Sequence, residues 1–282
     1  MPSVSARYGA PTIRQPTFAL DAPLAGRWHG GDAFRTHLFN ALSMMFPLGE
    51  ASFIDSVREF LPRLEQPSPL RAQVLAFIGQ EGAHSRIHAR YNARLAQLGF
   101  VNRLERWRRW RIDWRRRHLR PLDRLAVTIA CEHYTAVLGA AALANPAVLA
   151  GADRELALLW RWHAVEETEH KAVAFDVYRA CGGGYLRRVL WFFSATALFN
   201  FDTTVPVEAM IRRDPTRPRR RDLLRSAWRF YFGPPRMAAT LLRGFLAYLR
   251  PGFHPWQHDN RAAVQAWLAA NGGRIDNKGG AQ

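Results

Sequence analysis

Two Glu-x-x-His motifs, Glu81-Gly82-Ala83-His84 and Glu167-Thr168-Glu169-His170, constrain this 282-residue chain more than any other feature. Each lies in a stretch with helical character, and each is preceded by a carboxylate in a separate segment, Glu50 and Glu132. The order is therefore Glu, Glu-x-x-His, Glu, Glu-x-x-His. Residues three, four and seven apart share one face of a helix. Glu81, His84 and His88 follow the 0, 3, 7 spacing, and His163, Glu167 and His170 follow 0, 4, 7. If the two stripes face each other across a bundle, with Glu50 and Glu132 from the other helices, four carboxylates and several imidazoles converge. Like-charged carboxylates do not stay ionised in a dry core without compensation. Two divalent cations balance four ionised glutamates, so the pattern predicts two metal ions rather than one.

Chance supplies fewer than about one Glu-x-x-His in a chain of this composition. A lone match is usually a helical ion pair or cap; two matches, each with its own upstream carboxylate, point to a metal site. The expected ligands are Glu50, Glu81, His84, Glu132, His163, Glu167 and His170. His88 lies on the same stripe and either binds metal or hydrogen-bonds a ligand, with an ordinary core histidine as the plainer reading. Glu166 and Glu169 compete with Glu167, but only Glu167 completes the three-residue spacing to His170. They are assigned to contacts behind the ligands or to the surface. Thr135, one turn after Glu132, either holds a water or peroxide near the metals or bonds back to its own helix. His254 and His258 have no accompanying carboxylate set and read as structural or surface residues.

The remaining chain reads as a run of helices with no strand alternation. Residues 1–25 form an N-terminal arm, 26–270 a single helical domain, and 271–282 a flexible tail. Within the domain, the core bundle spans about 33–211 and C-terminal helices about 220–270. Asp32 caps a first helix over Ala33 to Phe60, with a kink expected at Pro47. Ser68-Pro69 opens a second, closed at Gly99. A basic, Trp-rich linker over Arg103 to Arg120 precedes a third helix from Pro121 to before Pro146. A fourth runs over about Asp153 to Ala180 and a fifth over about Tyr185 to Ile211. Helices broken at Gly233-Pro234-Pro235, then a short one near Pro255 to Ala270, complete the series. The fold class is all-α.

Net charge is +17, carried almost wholly by arginine, since only Lys171 and Lys278 are lysines. Arginine in place of lysine, with much Ala and Leu, is the composition of a GC-rich bacterial genome. The charge clusters at Arg103 to Arg120, among Trp107, Trp110 and Trp114, and at Arg212 to Arg225. A solvated helical face or linker is the plain reading; an anionic lipid surface or anionic substrate ranks next and nucleic acid last. Two cysteines are too few for a disulfide framework, and residues 1–24 lack the apolar core of a signal peptide. The longest apolar run, Leu190 to Phe201, is shorter than the ~20 residues a span needs. These features lead us to expect a cytoplasmic protein, with the inner-membrane surface as an alternative.

The segments Phe46-Pro47-Leu48-Gly49-Glu50, Gln80-Glu81 with His84, His88 and Asn92, Glu132-His133-Tyr134-Thr135-Ala136, and Trp162-His163 through Glu166-Glu167 to Glu169-His170-Lys171 resemble the bacterial family called predicted metal-dependent hydrolases. The resemblance runs from about Phe34 to His258 and implies a ferritin-like metal-binding bundle. The ligand order is also that of di-iron and di-manganese carboxylate bundles. More locally, His163-x-x-x-Glu167-x-x-His170 is similar to the spacing in di-iron arylamine N-oxygenases, which implies His163 as a third nitrogen ligand; His88 has no counterpart there.

Mixed carboxylate and imidazole ligands suit iron, manganese or zinc, and affinity alone does not choose. Ligands inside a bundle, apolar and aromatic surroundings, and the lack of a nucleophile–base set favour redox chemistry. The sequence reading is thus a di-metal enzyme, iron first, that activates O2 as an oxygenase or oxidase on an apolar or amine-bearing small molecule. It would need an electron donor. The alternative is a metal-dependent hydrolase using a two-metal-activated water; a further one is metal storage or a peripheral membrane protein with a structural metal. A homodimer is left open.

Overall fold

The computed structural model describes residues 9–21 and 26–275. The expected arm's residues 1–8 and 22–25, and the tail's 276–282, lie outside the described residues. Ten α-helices are present among those described: α1 (Ala33–Arg58), α2 (Pro69–Gln97), α3 (Glu105–His118), α4 (Pro121–Ala144), α5 (Arg154–His170), α6 (Val173–Ala180), α7 (Tyr185–Arg213), α8 (Arg220–Phe232), α9 (Met237–Tyr248) and α10 (Arg261–Ile275). The fold is all-α. The one extended pairing among the described residues is an isolated bridge, His29 to Ala152.

Helix starts follow local chemistry. Asp32 accepts from the Arg35 N–H, Ser68 from Arg71, and Asp153 from Glu155 and Leu156, satisfying donors that the first turn leaves open. Pro69 and Pro121 occupy first-turn positions, where a missing N–H is harmless. Gly99 and Gly182 take positive φ just past α2 and α6, a conformation that costs glycine least.

Two prolines lie inside helices, and each frees a carbonyl four residues earlier. Pro47 in α1 frees Ser43 O, which accepts from Asn92 Nδ2 at 2.9 Å. Pro206 in α7 frees Asp202 O, which accepts from Arg108 at 2.7 Å. Arg108 also reaches Met44 O on α1 at 3.2 Å. This buried arginine thus ties two proline-weakened helices together, and its place corrects the expectation for the basic segment. Residues 105–118 are a helix rather than a linker, and Arg108 and Arg111 are bound to Asp202 on α7. Trp107, Trp110 and Trp114 are exposed, as a solvated face requires.

α1 packs along α2 and α4 along α5, and α7 lies across α1 and α4. The α4–α5 contact is close because position 139 is glycine: a Cβ there would meet the Ala164 backbone at 3.2 Å. The expected fourth helix is divided. α5 stops at His170, and Lys171 turns its ammonium to His258 O at 2.6 Å and Asn260 Oδ1 at 2.7 Å. The C-terminal segment thus docks on the break, and α10 carries helix to Ile275, past residue 270. His254 binds Asp176 at 2.9 Å, a structural role.

Residues 9–21 are not a free arm. Phe18 is buried against Trp162, and Arg14 is buried beside α5. Two apolar clusters fill the interior, one containing Phe39, Phe46 and Trp160, the other Phe77, Tyr178 and Phe192. α4 is the one described helix long and apolar enough to cross a membrane, and 78% of its apolar window is buried inside the protein. It has the burial of a core helix.

Candidate metal centre

α1, α2, α4 and α5 each bring acids or imidazoles to one place between the two apolar clusters. α1 supplies Glu50, α2 supplies Glu81, His84 and His88, α4 supplies Glu132, and α5 supplies His163, Glu167 and His170. These form four overlapping triads whose ligand atoms lie within 4.8 Å of one another. None of the eight residues is more than 4% exposed. Phe46 stacks on His163 at 4.8 Å, and Phe77 meets His170 edge-on at 4.9 Å, so aromatic rings fix the imidazole planes.

Glu167 is central. Its Oε1 lies 3.0 Å from His163 Nε2 and 3.7 Å from His84 Nδ1, and its Oε2 lies 3.5 Å from His170 Nε2. His170 Nε2 is also 3.1 Å from Glu81 and 3.4 Å from Glu132. Its other nitrogen, Nδ1, is 2.9 Å from Gln80 Oε1. A donor Nδ1–H there fixes the ring so that Nε2 faces the carboxylates. Without metal, and against burial, Glu167, Glu132 and Glu81 hold His170 protonated, well above the usual imidazole range, and a metal ion would take the place of that Nε2 proton.

His88 resolves differently. Its Nδ1 is 2.9 Å from the Ser43 hydroxyl and its Nε2 is 3.0 Å from His163 Nδ1. With both nitrogens engaged, it orients His163 and leaves His163 Nε2 pointing at Glu167. Ser43 in turn is held by Asn92 at 2.8 Å. This relay begins at the carbonyl that Pro47 frees.

Glu166 is fully buried, and no spacing rule singled it out. Its Oε2 lies 3.1 Å from His84 Nε2, while Oε1 accepts from Trp162 at 3.1 Å and from Arg14 at 3.4 Å. Glu169 holds Arg14 through two 2.8 Å bonds and accepts from Gln80 at 2.9 Å. Both acids thus sit behind the histidines. Thr135 bonds back to Glu132 O at 3.0 Å, the plainer of its two expected fates, yet it also faces the pocket described below.

The residues fit metal ions by a direct test. Apart from the close approaches given above, both oxygens of Glu50, Glu81 and Glu132, both nitrogens of His84, and His163 Nε2, Glu167 Oε2 and His170 Nε2 are buried without a hydrogen-bond partner. Native interiors leave few such atoms unsatisfied, and each costs about 1–3 kcal/mol. Their concentration at one point is accounted for by cations that would coordinate them.

Burial, with repulsion among the carboxylates, drives Glu50 and Glu81 well above the usual carboxylate range. Burial also opposes ionisation of Glu167, but His170 and His163 outweigh it and hold that carboxyl well below the range. Burial pushes Glu132 up to about 7 and Glu166 up to about 8, against the pull of His170 on the first and Arg14 on the second.

These shifts give the metal-free protein a pH signature. In the unfolded chain the same acids ionise near ~4.3, so above that pH the folded state binds more protons than the unfolded. Stability then falls as pH rises, by up to about 1.4 kcal/mol per unit for each proton of difference. Burial lowers His84 and His88, which opposes the trend only below their unfolded value of ~6.5. The melting temperature of chelator-stripped protein is therefore expected to fall between about pH 7 and 8, and metal should abolish the fall by replacing the protons. A stripped protein that melts higher at the upper pH would contradict these acids being protonated.

Two cavities meet the cluster. One, of about 640 Å³, is walled by apolar side chains and runs from Phe46, Thr135 and His163 outward to exposed Leu224 on α8 and Leu242 on α9. The other, about 80 Å³, reaches Glu50 and is lined by Arg108, Arg111 and Arg115. Phe46, Thr135 and Phe199 border both.

A family model described as predicted metal-dependent hydrolase matches residues 12–259. No curated protein and no solved structure matches the chain.

Proposed function

Since this chain belongs to the predicted metal-dependent hydrolase family, we propose that it is a two-metal hydrolase acting on a bond joined to a long apolar group. The observation that carries this reading is the pairing of cavities: an apolar one ending at His163 and a small Arg-lined one ending at Glu50. An apolar chain and a water thus have separate approaches to one cluster of acids and imidazoles. The ligand set proposed is Glu50, Glu81, His84, Glu132, His163, Glu167 and His170, arranged as in a ferritin-like bundle. Two divalent ions there would supply Lewis acidity and lower the pKa of a bound water.

The protein's own part is positioning. Phe46, at the inner end of the apolar pocket, keeps the scissile group against His163 and shields it from bulk water. The Thr135 hydroxyl donates to Glu132 O, so its oxygen lone pairs remain to accept from a substrate or water donor. Glu50, whose carboxylate has no protein partner, stands where the small cavity arrives and can take a proton there.

A second reading, O2-dependent oxidation at a di-iron site fed by an electron donor, is favoured by the third imidazole, His163, beside Glu167 in apolar surroundings. One experiment separates the two. Protein loaded with zinc, manganese or iron is assayed anaerobically against ester and phosphoester panels of increasing chain length, and iron-loaded, reduced protein is assayed for O2 consumption. The hydrolase reading expects metal-dependent anaerobic cleavage that improves with chain length. Cleavage absent for every metal, with O2 consumed on reduction, would transfer the site to the oxidative reading.

A further inference from the structure

We propose that the outer face of α8 and α9 docks on an anionic lipid bilayer, and that the membrane is the source of the apolar substrate. This rests on the pocket reading above for the substrate, while the docking stands on the surface itself. On α8, Leu224, Trp228 and Phe232 recur every four residues and are each at least 60% exposed. Spacing of four places them in one stripe, and the Trp228 and Phe232 rings lie 4.4 Å apart. On α9, Leu242 and Leu246 make the matching exposed pair. α8 and α9 pack together, and Leu224 of one stripe and Leu242 of the other line the same cavity, which joins the stripes in one surface.

That surface is edged by positive charge. Arg221, Arg225 and Arg229 form a neighbouring exposed stripe on α8, and Arg220 stands at the pocket wall. Asp222 is the one acid of α8; α9 carries Arg243 and no acid. Exposed aromatics and leucines beside arginines are the composition of helices that lie in the headgroup region of a bilayer. Such arginines are each worth roughly fivefold in partition onto an anionic leaflet. A second copy of the chain would bring the same arginines against one another, which disfavours self-association as the occupant.

The apolar pocket opens on this face. Leu224 and Leu242 belong both to the exposed stripes and to the pocket wall that leads inward to His163. A lipid-like substrate could therefore leave the bilayer and reach the metal cluster without crossing water, where Leu224 and Leu242 join the two surfaces. Farther along, Phe193 of α7 is exposed and contacts Phe245 of α9 at 5.8 Å, which extends the same surface.

The test is co-sedimentation of the full chain with phosphatidylcholine vesicles, with and without about one-third phosphatidylglycerol, across a salt series. Binding is expected on the phosphatidylglycerol vesicles, weakening as salt screens the arginines. Trp228→Glu with Leu246→Glu should lower binding at least tenfold, and Arg225→Glu with Arg229→Glu should remove the preference for anionic lipid. All four positions lie off the pocket wall, so both variants should keep their metal content and their cleavage of short, water-soluble esters. No sedimentation at low salt, or equal binding to both vesicles, overturns the proposal. So does a dimer in light scattering that Trp228→Glu converts to monomer. Because binding is read without catalysis, failure of the hydrolase reading leaves the vesicle result intact, and the converse also holds.

Discussion

Replacing Glu167 with alanine is expected to strip the protein of metal. Among the described residues, Glu167 is the one carboxylate within reach of His84, His163 and His170 together, and those imidazoles keep it ionised where Glu50 and Glu81 are pushed toward protonation. It is thus ready to receive a cation without first losing a proton. Tightly bound metal, measured by mass spectrometry of the elements after desalting, should fall from about two ions per chain to one or fewer. Activity should fall at least about a hundredfold. The contrast is Glu169→Ala. Glu169 acts through Arg14 and Gln80, and Gln80 sets the His170 tautomer. That variant should keep both ions while affinity weakens about tenfold. Full metal content in Glu167→Ala would remove the centre as drawn.

Ala142→Phe is expected to change which substrates are accepted while the metal stays. Ala142 is buried in the wall of the 640 Å³ pocket, in the α4 stretch two turns beyond Thr135. A phenyl ring there would occupy space a chain would otherwise fill. Each methylene displaced forfeits about 0.8 kcal/mol, so losing three weakens long-chain binding roughly fiftyfold. Short substrates that end before this point should be turned over almost as in the parent. The measurement is kcat/KM against chain length, with metal content as the control. An unchanged length profile would mean that substrate approaches by another route. Overpacking is the risk, and a melting curve identifies it.

Much of the centre was legible before any coordinates, because helical spacing is a strong rule. Three and four residues return a side chain to the same face, so Glu81 with His84, and His163 with Glu167 and His170, could be placed together from their numbers alone. The caps Asp32 and Ser68 were legible for a similar reason: they act on backbone within three residues. What depends on distant partners was not. The stripe leaves His88 open between metal ligand, hydrogen-bond partner and core histidine, and only Ser43 and His163, 45 and 75 residues away, show its nitrogens to be engaged. Glu166 fails the spacing test, yet Arg14, 152 residues away, and Trp162 bring it beside His84. Arg108 was lost among arginines that look alike in sequence; its distinction is the pair of carbonyl acceptors made available near Pro47 and Pro206. The division between α5 and α6 was hidden because Lys171 is a good helix former, and its partners come from the far end of the chain.

The contact of Arg14 with Glu166 and Glu169 bears on how this protein should be handled. A segment with no regular structure of its own supplies the guanidinium that bonds two acids behind His84 and His170. Its fastenings run along its length, with the Gln73 amide on Gly9 O, the Gln80 amide on Thr12 O and Phe18 against Trp162. Cloning designs that trim residues 9–21 to obtain a tidier crystal would discard a working part of the site, and a poorly loaded protein from such a design would say nothing about the ligands themselves.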